Sequence, residues 1–192
     1  MKNILYAFLA FVFVACSSPN TKEVAELKIL DTPTFDINKL DYEGQIISKK
    51  IWEDSNGENI ALFTQKEEEL FVFHFAIHGE EAKLLRRVYD FEKDCEFDLF
   101  LEFFDQSIEV TDLDKDNLGE LTFAYKKGCI SDVSPVDQKL LMLENGEKYI
   151  IRGNTTLKLG PEIIKGIKNI DPSFEAAPDT FLLHADKLWN KL

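Results

Sequence analysis

Between Ile60 and Phe104 the apolar residues come in short runs, rich in phenylalanine and often alternating with polar ones. The runs are bounded by Asn56-Gly57, Lys66 to Glu69 and His78-Gly79. A period of two is the mark of strands. Within Leu70 to His78 it places Phe71, Phe73, Phe75 and Ile77 on one face and Val72, His74, Ala76 and His78 on the other, so at least one face belongs to a core. Lys139 to Glu144 and Glu147 to Arg152 flank Asn145-Gly146, a pair that supplies the positive φ angles of a two-residue hairpin turn. After Asn154 to Leu159 and the Gly160-Pro161 step, the spacing of Ile163, Ile164 and Ile167 predicts one or two helical turns, interrupted at Asp171-Pro172. From Asp179, a plausible N-cap, the spacing of Phe181, Ala185, Leu188, Trp189 and Leu192 predicts an amphipathic terminal helix. The expected fold class is mainly β: antiparallel sheets with hairpins, closed by C-terminal α-helices from about residue 161.

The first residues follow a different pattern. Lys2 precedes an uncharged, mainly apolar stretch from Ile4 to Ala15, and then come Cys16, Ser17 and Ser18. A membrane-crossing helix needs about twenty apolar residues, whereas a signal peptide needs roughly seven to fifteen before a small residue. Residues 1–15 therefore read as a signal peptide. Phe13-Val14-Ala15-Cys16 resembles a bacterial lipobox, with Phe13 where leucine is usual, which makes Cys16 the expected lipid-modified first residue of the mature chain. The alternative is ordinary cleavage near Ala15 that leaves Cys16 a free thiol. Residues 16–22 form a polar tether, and residues 23–192 a single exported domain.

Removing residues 1–15 removes one lysine and no acid, taking the net charge from -13 to -14. So acidic a chain lacks the basic footprint that phosphate backbones require, which argues against nucleic acid. It would also be repelled by anionic headgroups, so the expected membrane attachment is the lipid on Cys16 alone. Charge of this sign also simply keeps an exported protein soluble. Apart from Cys16 only Cys95 and Cys129 remain, an even pair in an oxidising compartment. A Cys95–Cys129 disulfide is the economical inference.

The most informative stretch is Thr111-Asp112-Leu113-Asp114-Lys115-Asp116-Asn117-Leu118-Gly119-Glu120, set between the alternating segments Ser107 to Thr111 and Leu121 to Tyr125. Counting from Asp112, carboxylates fall at positions 1, 3, 5 and 9 (Asp112, Asp114, Asp116, Glu120), and Leu118 supplies a backbone carbonyl at position 7. Calcium loops use this arrangement because a tight turn directs alternate side chains inwards as hard oxygen ligands. Asn117 stands at position 6, where a left-handed conformation is needed, and asparagine is the next best residue there after glycine. The stretch resembles the abbreviated calcium loops found between strands in integrin-type and related β repeats. A full EF-hand would place a bidentate glutamate at position 12, where this chain has Phe123. The expectation is a structural calcium ion with affinity of roughly 0.1 to 1 mM, set against a solvated acidic turn that binds nothing.

Signals for catalysis are weak. His74 and His78 lie four residues apart on one strand, about 13 Å, too far to share a metal. His184 sits in the terminal helix, and no G-x-S-x-G, H-E-x-x-H or phosphate-binding glycine loop occurs. Ser134 reads as part of a turn. Asp90, Asp94 and Asp98 could be nominated as acid–base residues of a glycosidase, but acids are too numerous for the spacing to select them.

Several short matches, Trp52-Glu53-Asp54 with Gly57-Glu58-Asn59, Cys95, Thr111 to Glu120, Tyr125, Cys129 to Pro135, and Lys148-Tyr149 with Ile151-Arg152-Gly153, together span roughly residues 50 to 155. In these the chain resembles a family of bacterial lipoproteins named for surface-polysaccharide biosynthesis and linked with lipopolysaccharide O-antigen. The resemblance implies participation in a pathway, not a reaction. Three functions compete. The first is a noncatalytic envelope lipoprotein supporting surface-polysaccharide biosynthesis or display. The second is a glycan- or protein-binding module using Trp52, Tyr125 and Tyr149 as stacking surfaces. The third is a carboxylate-dependent hydrolase of envelope glycans. The first is the reading we take from the sequence, with the protein lipid-anchored in the cell envelope. Ser17 after the anchor is compatible with the outer membrane.

Overall fold

The computed structural model describes residues 26–192. The signal peptide, the lipidated Cys16 and the tether expected from the sequence lie outside the described residues. The polar–apolar alternation becomes two antiparallel sheets. The first takes β1 (Lys28–Leu30), β2 (Gln45–Asp54), β3 (Gly57–Lys66), β4 (Glu69–His78) and β5 (Glu81–Phe91) in plain sequence order. The second is built from β6 (Asp98–Phe103), β7 (Glu109–Thr111), β8 (Glu120–Ile130), β9 (Asp137–Glu144) and β10 (Glu147–Asn154). A small hairpin follows, β11 (Leu157–Leu159) with β12 (Glu162–Ile164), and then β13 (Lys168–Ile170) returns to the edge of β10. The order across the second sheet is β13-β10-β9-β8-β6, with β7 also paired to β8. Neither sheet closes on itself.

The sheets meet face to face. Trp52, Ala61, Phe63, Leu70, Val72 and Val88 of the first pack on Leu101, Leu121, Phe123, Tyr125, Leu141, Leu143 and Ile150 of the second. Phe63 stands edge-on to both Phe103 (5.1 Å between centroids) and Phe123 (5.4 Å), the arrangement aromatic quadrupoles favour. Both faces of Leu70 to Ile77 are buried, one more than alternation requires, and only His78 at the strand end is exposed. The second face, with Phe71, Phe73, Phe75 and Ile77, is covered by the incoming chain through Leu30, Phe35, Ile37, Leu40 and Tyr42. Glu58 pins that cover, accepting from the Thr34 N–H at 2.9 Å, the Thr34 hydroxyl at 2.8 Å and the Phe35 N–H at 3.2 Å.

The outer face of the second sheet is covered from the other end of the chain. Helix α1 (Asp179–Trp189) lays Phe181, Ala185, Leu188 and Trp189 on Ala124, Leu140, Met142 and Ile151. The terminal helix is thus where the sequence put it. Pro178 occupies the cap position and Asp179 the first turn, so Asp179 is not the N-cap.

The expected helical turns from about residue 161 are overturned. Ile163, Ile164 and Ile167 lie in or beside β12 and β13, and a short 3-10 turn (Pro172–Ala176) precedes the only α-helix among the described residues. The cause is local. Isoleucines favour extended backbone, and Gly160 at φ 62 before Pro161 makes a hairpin turn. The return strand also passes so close to β10 that a Cβ on Gly153 would stand 1.8 Å from the Ile167 carbonyl oxygen, and one on Gly166 1.9 Å from that of Asn154.

Cys95 and Cys129 form the expected disulfide, joining the β5–β6 connection to β8. Asp90 makes a second tie between the sheets. Buried at the end of β5, it accepts from the Tyr125 hydroxyl on β8 at 2.7 Å and from Lys139 on β9, with Lys127 3.4 Å away. Burial works to raise its pKa, but the hydrogen bonds from Lys139 and Tyr125 hold it below the usual value. Asp94 and Asp98 are exposed and do not join it.

The disulfide closes a loop of 34 residues. Replacing Cys95 and Cys129 by serine is expected to cost about 3 to 4 kcal/mol of unfolding free energy. Chemical denaturation of the oxidised protein and of the double variant measures this, and equal midpoints would mean the loop is held by other contacts.

Candidate metal centre

The acidic loop is held by a carboxylate that is not part of it. Asp54 ends β2, and the turn Ser55-Asn56 leads into β3. Its side chain is 3% exposed and accepts three hydrogen bonds, from Trp52 Nε1 at 2.8 Å, the Asn56 N–H at 2.8 Å and the Gly119 N–H at 3.0 Å. The Ser55 N–H donates to the Asn117 carbonyl at 2.9 Å. Gly119 is needed for this close approach, since a Cβ there would lie 2.4 Å from Trp52 Nε1. The Trp52-Glu53-Asp54 and Gly119 motifs singled out in the sequence are therefore one joint.

Between β7 and β8 the chain makes the tight turn anticipated from its residue types. Lys115 (φ 64) and Asn117 (φ 66) both adopt left-handed conformations. The Asp116 N–H reaches Asp114 Oδ1 at 3.3 Å, and the Leu118 N–H reaches Asp116 Oδ1 at 2.7 Å. One carboxylate oxygen from each of Asp112, Asp114 and Asp116 lies within 4.8 Å of the other two. The same holds for Asp114, Glu120 and Glu144. Oxygens that share a calcium ion, each 2.3 to 2.6 Å from it, stand no more than about 5 Å apart, so both groups have the right span.

Glu144 is the residue that the sequence did not nominate. It closes β9 next to the Asn145-Gly146 turn, and Asn145, at φ 43, accepts from Asn56 Nδ2 at 3.1 Å. The hairpin was legible, but nothing local says that its end abuts the acidic loop. Glu144 brings in from a neighbouring strand the acid that loop position 12, Phe123, lacks; Phe123 is core.

The electrostatics of the cluster are unfavourable as they stand. Glu120 is fully buried and accepts from the Leu113 N–H (3.0 and 3.1 Å) and the Thr111 hydroxyl (2.9 Å). Burial pushes it up to about 7. Burial, together with Asp116, Asp114 and Asp112, also pushes Glu144 up to about 7. Asp114 is raised by burial and by Asp116. Asp112 Oδ1 and Glu144 Oε1 are buried with no hydrogen-bond donor. A buried carboxylate oxygen without a partner is costly, and protonation or a bound cation relieves that cost.

The aromatic residues proposed as stacking surfaces are not available as a shared groove. Trp52 and Tyr125 are core, and Tyr149 packs on Phe174 and Phe181. His74 is buried against Trp52, 5.0 Å between centroids, with Nε2 3.0 Å from Asn59 Oδ1. Burial pushes it down to about 4, so it is neutral at pH 7. His184 pairs with Glu109 at 2.9 Å. Four cavities of about 150 to 410 Å3 are lined by neither Glu120 nor Glu144.

Comparison with protein-family models, with curated proteins and with solved structures found no match.

Two measurements test the geometry. Gly119→Ala must displace Trp52 or the loop and is expected to lose about 2 kcal/mol or more in denaturant unfolding; an unaffected protein would mean that the joint is slack. In the absence of metal, Glu144→Gln should gain stability over the native chain as pH rises from about 4.5 to 7. The sign follows because the folded carboxyl, held near 7, stays protonated while the unfolded one ionises near 4.5, which favours unfolding of the native chain. Parallel stability–pH curves would contradict the burial of this group.

Proposed function

We propose that the chain is an exported, noncatalytic envelope lipoprotein, anchored through Cys16, that supports surface-polysaccharide biosynthesis or display. A calcium ion at Asp112, Asp114, Asp116, Glu120 and Glu144, with the Leu118 carbonyl, would have a structural role. The observation that carries the calcium part is the pair of donorless buried oxygens, Asp112 Oδ1 and Glu144 Oε1, one in each of two carboxylate trios that share Asp114. Export is supported by the signal-like first fifteen residues and by the disulfide, a bond that persists in oxidising compartments. The polysaccharide assignment rests on the resemblance across residues 50 to 155.

A second reading, the carboxylate-dependent hydrolase, has one observation in its favour: two neighbouring carboxyls, Glu120 and Glu144, both raised to about 7. Raised carboxyls are what a general acid requires. However, Glu120 is wholly buried, out of reach of a sugar ring. A sugar ring needs an open cleft between the two acids.

Calorimetric titration of the mature chain with calcium tests the reading. We expect one site with a dissociation constant of roughly 0.1 to 1 mM, abolished by Asp112→Ala with Asp114→Ala and weakened about tenfold or more by Glu144→Gln. At a hundredfold excess over that constant, calcium should stabilise the fold by about 2.7 kcal/mol. No heat and no thermal shift at millimolar calcium would reduce the loop to a solvated turn. Glycan cleavage lost in Glu144→Gln would replace this reading with the hydrolase.

A further inference from the structure

The negative charge of the chain is not evenly spread. Around the β11–β12 hairpin and the end of α1, Lys158, Lys165, Lys168 and Lys191 line a cavity of about 410 Å3 together with Ile163 and Trp189, and no aspartate or glutamate side chain lines it. Lys168 is paired with Asp186. Lys158, Lys165 and Lys191 have no ion-pair partner among the described residues. At physiological ionic strength charges are screened beyond about 8 Å, so a ligand at this lobe meets the local lysines rather than the net -13 of the chain. The expectation that acidity opposes contact with anionic headgroups rests on net charge, and this lobe departs from that average in its local charge.

The same lobe exposes large apolar side chains. Leu159 (40%), Ile163 (59%), Ile164 (42%), Ile167 (62%) and Ile170 (45%) all stand out. The pairing Lys158↔Ile163 and Leu157↔Ile164 puts Ile163 and Ile164 on opposite faces of the two-stranded hairpin. A rigid partner surface would cover one of these faces. A fluid apolar phase covers both, while Lys158, cross-strand from Ile163, and Lys165, just past the end of β12, extend their ammonium groups to headgroups. A glycan polyanion would satisfy the lysines and leave the isoleucines in water.

We propose that the β11–β12 hairpin, with Lys158, Lys165 and Lys191 around Ile163, Ile164 and Ile167, is a membrane-contact element that inserts into the interface of an anionic lipid bilayer. This inference does not depend on calcium or on the polysaccharide pathway.

The test uses the full chain carrying Ile163→Trp on vesicles containing brominated lipid, either zwitterionic or with about a third phosphatidylglycerol, an anionic surface of the kind that attracts clustered lysines. Trp52 and Trp189 are buried and set the background, and Leu84→Trp, on an exposed position of the other sheet, serves as control. We expect a blue shift and quenching for Ile163→Trp on anionic vesicles and none for Leu84→Trp. Adding Lys158→Glu with Lys165→Glu should weaken the interaction about tenfold or more. Absence of quenching, equal quenching at both positions, or quenching indifferent to lipid charge or to the lysine reversals would overturn the proposal. So would a response of the reporter to a soluble acidic polysaccharide in place of vesicles, which would assign the lobe to a glycan.

Discussion

The carboxylate of Asp54 is the constraint on which the acidic end of the molecule depends. It is buried, and its hydrogen bonds run to Trp52 in its own strand, to the Asn56 N–H of the turn that follows, and to Gly119 just before β8 of the second sheet. One side chain thus fixes the orientation of a core indole, the entry to β3 and the exit of the acidic loop. Because a charged group buried this deeply is tolerated only when its acceptors are filled, any slip between the two sheets here would strand it. The loop is in this sense an attachment of the interface between the sheets. Glu144 meets Asp114 and Glu120 for a separate reason: the pairing of β8 with β9 sets Leu143 opposite Leu121 and so brings Glu144 beside Glu120.

The Asp90 constellation plays a comparable part along the same pair of sheets but with opposite chemistry. There the buried acid is surrounded by cations and a phenol, from Lys139, Lys127 and Tyr125, and its charge is neutralised within the protein. In the acidic loop no cation of the chain approaches the converging oxygens closely enough to form an ion pair among the described residues, and Lys115 is exposed on the turn. One sandwich thus holds two acidic sites, Asp90 neutralised by groups of the chain and the loop cluster, in which Glu120 alone is buried outright, without a counter-ion from the described residues.

Much of this could be read from the sequence where the determining forces are local. Period-two alternation located β3, β4 and the β9–β10 hairpin because strand faces and the Asn-Gly turn are set by neighbouring residues. The positive φ of Asn117 was foreseeable for the same reason. The stretch after residue 161 misled because three isoleucines spaced by one and three fit a helical face as well as a short strand. The decision was made by Gly153 and Gly166, whose missing side chains let β13 approach β10. Trp52 and Tyr125 looked like surface candidates only because a sequence does not show which aromatic residues the second sheet will cover. Glu144 was invisible because its role depends on a contact between two hairpin ends that no local pattern encodes.

The placement of the two charged regions follows from the topology. Glu144 and Glu147 flank the start of β10 and the lysine-bearing hairpin follows its end, so eight residues of strand, about 26 Å, separate them. The chain enters at the acidic end, since Lys28 pairs with Glu53 beside Asp54. The two charged regions are held apart by the length of β10 itself, several times the distance of about 8 Å over which charges act at physiological ionic strength, so each presents its own sign to whatever approaches it.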